Sequence, residues 1–446
     1  MTNEKYTKEQ LEQTTVAVLR SILASKGGAP LNKPKTELIS EILNAQEGIA
    51  PERSNKGRPR LSGVEQYKPD VNPAIFNFNT PKPELVENPQ NYYNENLNCD
   101  DSVVNLGKTE SVKGVLDLLE NGNGFLRVNG YSEDPYADVF VSKEVITSFS
   151  LLVGDYVEGI AVTTNGVLCL RKVDKLNGVN FAGAKRENFD ALPVCYPNKK
   201  FNIVDGNDVG MKVIDLIAPI GKGQRSIIYA PEKAGKSGFL KRIVSAIENN
   251  NNEVKVINLL INRRPEDVTE YKMGLKSEVI SLDYNVTANK QVKSCELILN
   301  RAKRLVEQGV DVVIALDDIT SLVKSYNYAL NSVKTLGGID VNAVLMVKQF
   351  FGSARNVQTG GSLTIICIAD VNTIQDELIV SELKGVSNME VELSTKMANR
   401  GIYPPIITSK TYTRNVNALL SSTEKELSNK LREIDDIREI VSILND

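Results

Sequence analysis

Apolar positions change rhythm several times along the chain, and each change marks a different kind of element. Val16-Ala17-Val18-Leu19-Arg20-Ser21-Ile22-Leu23 and Glu37-Leu38-Ile39-Ser40-Glu41-Ile42-Leu43 space their apolar residues as one face of a helix, with Gly27-Gly28-Ala29-Pro30 as the break. This predicts a small helical domain over residues 1–45. From 46 to 110 the periodicity dissolves into Asn, Pro and charge, the composition of a disordered linker. Residues 111–176 carry short β-rich runs between turn residues: Gly114–Leu119, Gly124–Val128, Asp138–Val141, Tyr156–Ile160 and Val167–Leu170. Five short strands in that length predict a small barrel of the OB type. After a connector at 177–205, residues 206–420 alternate apolar strands with helical stretches, the pattern of a mainly parallel sheet covered by helices. The tail at 421–446 reads as charged amphipathic helix packing on that core. The expected fold class is therefore multidomain: helical domain, OB-type barrel, then an α/β core.

The 446 residues suffice for two or three domains, and a net charge of −3 confines any nucleic-acid site to a local patch. The chain has no histidine, which excludes histidine catalysis and histidine metal ligands. Cys99, Cys169, Cys195, Cys295 and Cys367 have no paired spacing and read as reduced thiols of a cytoplasmic protein. No apolar signal stretch and no membrane-length apolar run is present.

The sharpest chemical signal is Ala230-Pro231-Glu232-Lys233-Ala234-Gly235-Lys236-Ser237, between the apolar run Ser226–Tyr229 and a helix-like stretch from Gly238. Strand, small-residue turn and helix make a phosphate-binding P-loop. Backbone N–H groups from Lys233 to Gly238 cradle phosphates, Lys236 reaches the β- and γ-phosphates, and the Ser237 hydroxyl can hold Mg²⁺. Ala230 stands where the pattern expects a first Gly. Downstream, Val312–Leu316 is an apolar strand ending in Asp317-Asp318; next to a P-loop, such an acid orients Mg²⁺.

A longer series of motifs resembles one family. It comprises Ala218–Arg225, the P-loop, Arg264–Glu270, Ala302–Glu307, Asp317–Asn327, Phe350–Asn356 and Gly360–Ile366. In this order they are similar to the transcription termination factor Rho family, ring-shaped RNA-dependent ATPases and helicases, over about residues 112–420. The resemblance implies a RecA-like core, a homo-hexameric ring with ATP between subunits, and single-stranded RNA and the RNA polymerase complex as partners. By position it makes Lys233, Lys236 and Ser237 contacts to ATP and Mg²⁺, Asp317 the Walker B acid, and Arg264 an arginine beside the catalytic strand.

The chain also departs from the family. The catalytic Glu that activates water is Arg263 here, and a guanidinium accepts no proton. The arginine finger falls on Gly401, within Lys396–Pro404. Relocation is one reading, with Asp318 positioning the water and Arg400 reaching across subunits. The other is that Asp318 is a strand-end acid, Arg400 a surface residue and turnover lost.

For RNA, the resemblance points to Phe125 as a stacking platform, Arg127 as a phosphate contact and Tyr131 as a second stacking residue. Another family aromatic is Asn123 here. Channel contacts reduce to Lys348 and Lys384, so RNA binding should be weak with a shallow salt slope. In the linker, Lys56-Gly57-Arg58-Pro59-Arg60 fits either a solvated basic segment or a weak contact with A·T-rich DNA. Three readings follow: a Rho-like termination factor, a hydrolysis-deficient relative that binds RNA or joins a genuine ring, and another ring motor such as a rotary-ATPase subunit.

Overall fold

The computed structural model describes residues 11, 19, 22–23, 34–46, 109–164, 166–180, 187–204, 206, 208–330, 338–434 and 436–445. The chain divides into two units, residues 1–85 and 86–446. In the first, Leu11, Leu19, Leu23, Leu38, Ile39 and Ile42 form a small buried core, the last three from helix α1 (Lys35–Gln46). The expected linker at 46–110, Lys56–Arg60 included, lies almost wholly outside the described residues.

The second unit begins with the barrel. Strands β1 (Thr109–Leu118), β2 (Gly124–Arg127), β3 (Val139–Val141), β4 (Tyr156–Thr164) and β5 (Val167–Leu176) close on themselves, because β3 pairs with β5 as well as β2. β6 (Val179–Asn180) adds an edge, and helix α2 (Lys143–Ser148), capped by Ser142, bridges β3 and β4. Leu116, Leu126, Val139, Val141, Val157 and Leu170 fill the interior. Gly154 is needed where the barrel meets the core: a Cβ there would lie 2.4 Å from the Asn300 carbonyl carbon. Arg301 also lays its guanidinium 5.4 Å from the Tyr156 ring centre. Asn300 and Arg301 both belong to the long helix Ala288–Glu307 of the core.

The core sheet runs β10 (Glu278–Leu282), β9 (Lys255–Ile261), β11 (Val312–Leu316), β13 (Ser362–Asp370), β8 (Arg225–Ala230) and β14 (Met389–Glu392), all parallel, with β15 (Tyr412–Thr413) antiparallel at the edge. β7 (Val194–Cys195) and β12 (Arg355–Val357) form a side ladder on β13. Alternate residues serve two cores. Ile227, Leu259, Ile314 and Ile365 face one, and Ile228, Leu260, Val313 and Ile366 the other. Burial on both faces explains why these strands read as continuous apolar runs. The covering helices include α3 (Val209–Ile217), α4 (Lys236–Asn250), α5 (Pro265–Gly274), α6 (Ala288–Glu307), α7 (Ile319–Leu330), α8 (Val341–Gly352) and α9 (Ile374–Lys384).

Two expectations about the periphery sharpen. The stretch expected as a connector is partly packed: Phe189 is fully buried, and its N–H donates to Glu307 at 2.7 Å. The tail is two helices, α10 (Ser422–Arg432) and α11 (Ile437–Asn445), whose Leu431, Ile437 and Ile440 join the core cluster that includes α3. Ser421 and Glu424 form a capping box at the start of α10, and Glu424 also accepts from Lys200 at 2.7 Å.

Burial would raise the Glu424 carboxyl, but Lys200 and Ser421 outweigh it and hold it at about 2. A depressed carboxyl stabilises above its ordinary range and loses that effect as pH falls through the folded value. Glu424→Gln should therefore increase hydrogen exchange in residues 422–432 at neutral pH by about 1 kcal/mol of local stability. The difference from wild type should shrink as pH falls from 4.5 toward about 2.

Candidate nucleotide site and nucleic-acid surfaces

Parallel strands collect their loops at one edge, and here β8, β13 and β11 are consecutive neighbours. β8 ends at the buried Ala230, and the P-loop turn follows with Lys233 and Gly235 both left-handed (φ 62° and 80°). Gly235 caps α4, whose first residues are Lys236 and Ser237. A Cβ on Gly235 or Gly238 would meet nothing within 4 Å, so the mouth of the loop is open, as a phosphate cradle must be. Ala234 is buried and pins the turn from below. Tyr271 of α5 donates its hydroxyl to the Ser237 carbonyl at 3.0 Å, and Thr395 donates to the Glu232 carbonyl at 2.7 Å. Lys233 is exposed at the rim with no side-chain hydrogen bond or ion pair among the described residues.

Asp317 ends β11 with no exposed surface. Its Oδ1 accepts the Ile261 N–H at 2.9 Å; its Oδ2 accepts Nε of Arg263, whose Nη2 also donates to the Asp317 carbonyl at 3.1 Å. Arg263 thus stands where the resemblance places a catalytic Glu, and it neutralises the acid that would orient Mg²⁺. Burial pushes the Asp317 carboxyl up to about 6 against the pull of Arg263; burial opposes the charge on Arg263 as well, but Asp317 raises its pKa overall. Mg²⁺ held by Ser237 and Asp317 does not fit this arrangement. Both carboxylate oxygens are engaged, and a guanidinium occupies the cation's side. Among the described residues no cluster of three acidic or cysteine ligands offers another place.

The relocation reading for Asp318 also fails on geometry. Asp318 caps α7: Oδ1 accepts the Thr320 N–H (2.9 Å), the Ser321 N–H (3.1 Å) and the Thr320 hydroxyl (2.5 Å), and Oδ2 accepts the Ser321 hydroxyl (2.5 Å). It is a buried structural cap, with its oxygens spent inside the helix end. Arg264 is an exposed residue preceding α5 and reaches none of these groups. Arg400 is exposed in the turn after a short helix at Thr395–Ala398, ahead of the left-handed Gly401.

Sequence reasoning missed Asp370. It ends β13, between the strands of the P-loop and of Asp317, and its Oδ1 forms an ion pair with Lys236. Burial and the neighbouring Asp318 charge raise its carboxyl, and Lys236 opposes them. The signal was available: an acid closes the apolar run Ile365–Ala369.

The RNA residues chosen from sequence are placed differently from a stacking surface. Phe125 is 7% exposed and packs edge-on against Phe140, ring centres 5.7 Å apart, with Cys169 completing the cluster. Arg127 is 5% exposed, bonded to Asp117 and, at 2.5 Å, to Asp138, and its guanidinium lies 5.5 Å from the Phe125 ring centre. Burial opposes its charge, but Asp117 and Asp138 raise its pKa overall. Tyr131 is buried in the main core cluster and donates to Glu278 at 3.5 Å. In this state none of the three offers an open face to a base or a free charge to a phosphate. The side chain of Asn123, which takes the family aromatic's place, accepts the Lys143 N–H at 3.0 Å.

The two lysines that the resemblance assigns to a ring channel are also engaged within the chain. Lys348 pairs with Glu382 at 2.6 Å, beside exposed Val341, Leu345 and Met346, so this face is apolar where a cationic one was sought. Lys384 sits 5.1 Å from the Tyr229 ring centre and lines a cavity of about 320 Å³ with Pro231 of the P-loop.

Comparison with known proteins separates the two halves of this unit. The model described as "Rho termination factor, RNA-binding domain" matches residues 112–181, and "ATP synthase alpha/beta family, nucleotide-binding domain" matches 210–412. Proteins named "Transcription termination factor Rho" align across both. That of Cereibacter sphaeroides is 39% identical over 335 residues, covering 72% of this chain and 79% of the relative. That of Pseudomonas aeruginosa is 41% identical over 342 residues, covering 74% and 81%. That of Haemophilus influenzae is 41% identical over 335 residues, covering 72% and 80%.

The Arg263–Asp317 pair makes its own prediction. Arg263→Met leaves a buried carboxylate without its counter-charge, which should cost about 3–5 kcal/mol near pH 8, read by chemical unfolding. A raised carboxyl is relieved by protonation, so stability returns as pH falls. The loss should shrink at about pH 5, below the value of about 6 that Asp317 has even with its partner.

Proposed function

Because the chain belongs to the transcription termination factor Rho family, we propose that it is a Rho-like termination factor that binds ATP and single-stranded RNA. The observation that carries this is one chain joining a closed barrel, matched by the Rho RNA-binding domain, to a P-loop core. In the proposed action, copies of the chain assemble as a hexameric ring in the cytoplasm, with nucleotide between subunits and Arg400 near the neighbour's site. The barrel captures nascent RNA, and ring motion draws the strand away from RNA polymerase. Among the described residues no helix is long and apolar enough to cross a membrane. A rotary-ATPase role would account for the core match but not for the barrel.

Within this action the residues divide the work. Lys233 to Gly238 supply the phosphate cradle, with Lys236 as its charge. Phe125, Arg127 and Tyr131 serve RNA only if the barrel rim opens, because each is now engaged in packing or ion pairing. Lys348 and Lys384 remain the cations of the ring interior. No step is assigned to Mg²⁺, for which Asp317 is not free.

One observation favours a second reading. With Arg263 on Asp317, Asp318 in a helix cap and Lys236 on Asp370, each of the three strand-end acids at this edge already has a partner. The protein then binds RNA without turnover, alone or in a ring with an active relative.

ATP hydrolysis by the purified chain, with and without poly(C) RNA and with Lys236→Ala as the blank, separates the two. RNA-stimulated turnover lost in the blank establishes the motor. Turnover equal to the blank with RNA binding intact establishes the second reading. RNA affinity measured against salt should show a slope of only about two or three released counterions, since Arg127 and Lys348 are already neutralised; a steep slope contradicts this arrangement of the cations.

A further inference from the structure

The two ion pairs at the nucleotide site share a logic. Asp370 meets Lys236 where a phosphate oxygen would, and Arg263 meets Asp317 where a divalent cation would. The three strand ends that carry them, β8, β13 and β11, are adjacent. The site is therefore filled by its own charges, an internal anion on the P-loop lysine and an internal cation on the strand acid.

We propose that Arg263 takes the place of the divalent cation, so that this chain binds a nucleoside triphosphate through Lys236 and Arg263 without Mg²⁺, in competition with Asp370. The inference rests on the ATP-binding part of the proposed function and deepens it.

Three observations carry it. First, Asp317 already has its counter-charge: one oxygen accepts the Ile261 N–H and the other the Arg263 guanidinium, so a divalent cation at this acid would meet a positive charge. Second, Arg263 keeps donors in reserve. Nε and Nη2 are spent on Asp317, while Nη1 has no hydrogen-bond partner among the described residues. A guanidinium that is anchored on one edge and open on another suits a phosphate oxygen, because its planar fork presents several N–H groups in fixed directions. Third, Arg263 belongs to the loop site. Its charge is felt by Asp370, and Tyr271, which also feels Arg263, is hydrogen-bonded to the Ser237 carbonyl. Entry of a triphosphate requires only that Lys236 turn from Asp370 to the phosphates. Asp370, with Oδ2 unpartnered among the described residues, is then left beside like charge, and this sets the competition.

The test is equilibrium binding of ATP to the full chain in Mg²⁺ and in EDTA, for wild type, Arg263→Glu and Asp370→Asn. Wild-type affinity should change by less than about twofold on removal of Mg²⁺, and Arg263→Glu should become dependent on Mg²⁺ by about tenfold or more. Asp370→Asn should bind ATP about tenfold more tightly than wild type, with or without the metal. A tenfold loss of wild-type affinity in EDTA overturns the proposal and leaves the ATP-binding function standing. Unchanged affinity in Asp370→Asn overturns the competition. Binding by neither wild type nor Asp370→Asn under either condition overturns both the inference and the ATP half of the function. The wild-type comparison needs no substitution, so a variant that fails to fold does not decide the matter.

Discussion

The parallel pairing of β8, β13 and β11 is the constraint on which the nucleotide site depends. Parallel strands in one layer end at the same edge, so three segments far apart in the chain must deliver their terminal residues side by side. β8 delivers the P-loop, β11 delivers Asp317 and β13 delivers Asp370. β9, on the far side of β11, ends in the left-handed Asn262 and swings Arg263 back over Asp317. The strands are buried on both faces, so their positions are not adjustable without loss of both cores. What varies is the chemistry of the residue at each strand end, and here two acids and two bases cancel in pairs.

That cancellation explains why a site rich in charge can exist without a ligand. An isolated carboxylate as deeply buried as Asp317 is costly to ionise, and the Arg263 guanidinium, held by Nε and Nη2, supplies the compensation. Lys236 and Asp370 are less buried and exchange partners more readily. The outer pair can therefore open to a phosphate while the inner pair stays shut. This difference in burial, and not the mere presence of a P-loop, decides which half of the ATPase apparatus remains available.

Much of the architecture was legible in the chain because it rests on local rules. Strand Ser226–Tyr229, the small-residue turn and the helix from Lys236 follow from propensity and pattern, and the five barrel runs from alternation and turn residues. The pairing of Arg263 with Asp317 was not legible, since 54 residues separate them and only the β9–β11 register brings them together. Asp370 was hidden for the same reason, 134 residues from Lys236. The capping role of Asp318 was not legible, because a strand-end acid and a helix N-cap look alike until Thr320 and Ser321 are seen to satisfy it. The packing of Phe125 and Tyr131 was not legible, because an aromatic that can stack on a base can equally pack on Phe140 or the core.

The barrel and the core repeat one device. In each, an arginine at a place suited to an anionic ligand is spent on carboxylates of the chain itself: Arg127 on Asp117 and Asp138, Arg263 on Asp317. An anionic ligand that must displace such a carboxylate binds by exchange, and only the difference between the two interactions appears as affinity. Exchange also makes binding sensitive to the geometry of the displaced carboxylate. The buried, doubly held guanidinium of Arg263 can accept a phosphate only on its open edge. Arg127, its Nε and one terminal nitrogen bonded to Asp117 and the other terminal nitrogen to Asp138, has no such edge. By this argument the nucleotide core retains ligand capacity in the state described, while the barrel must rearrange before its arginine can meet RNA.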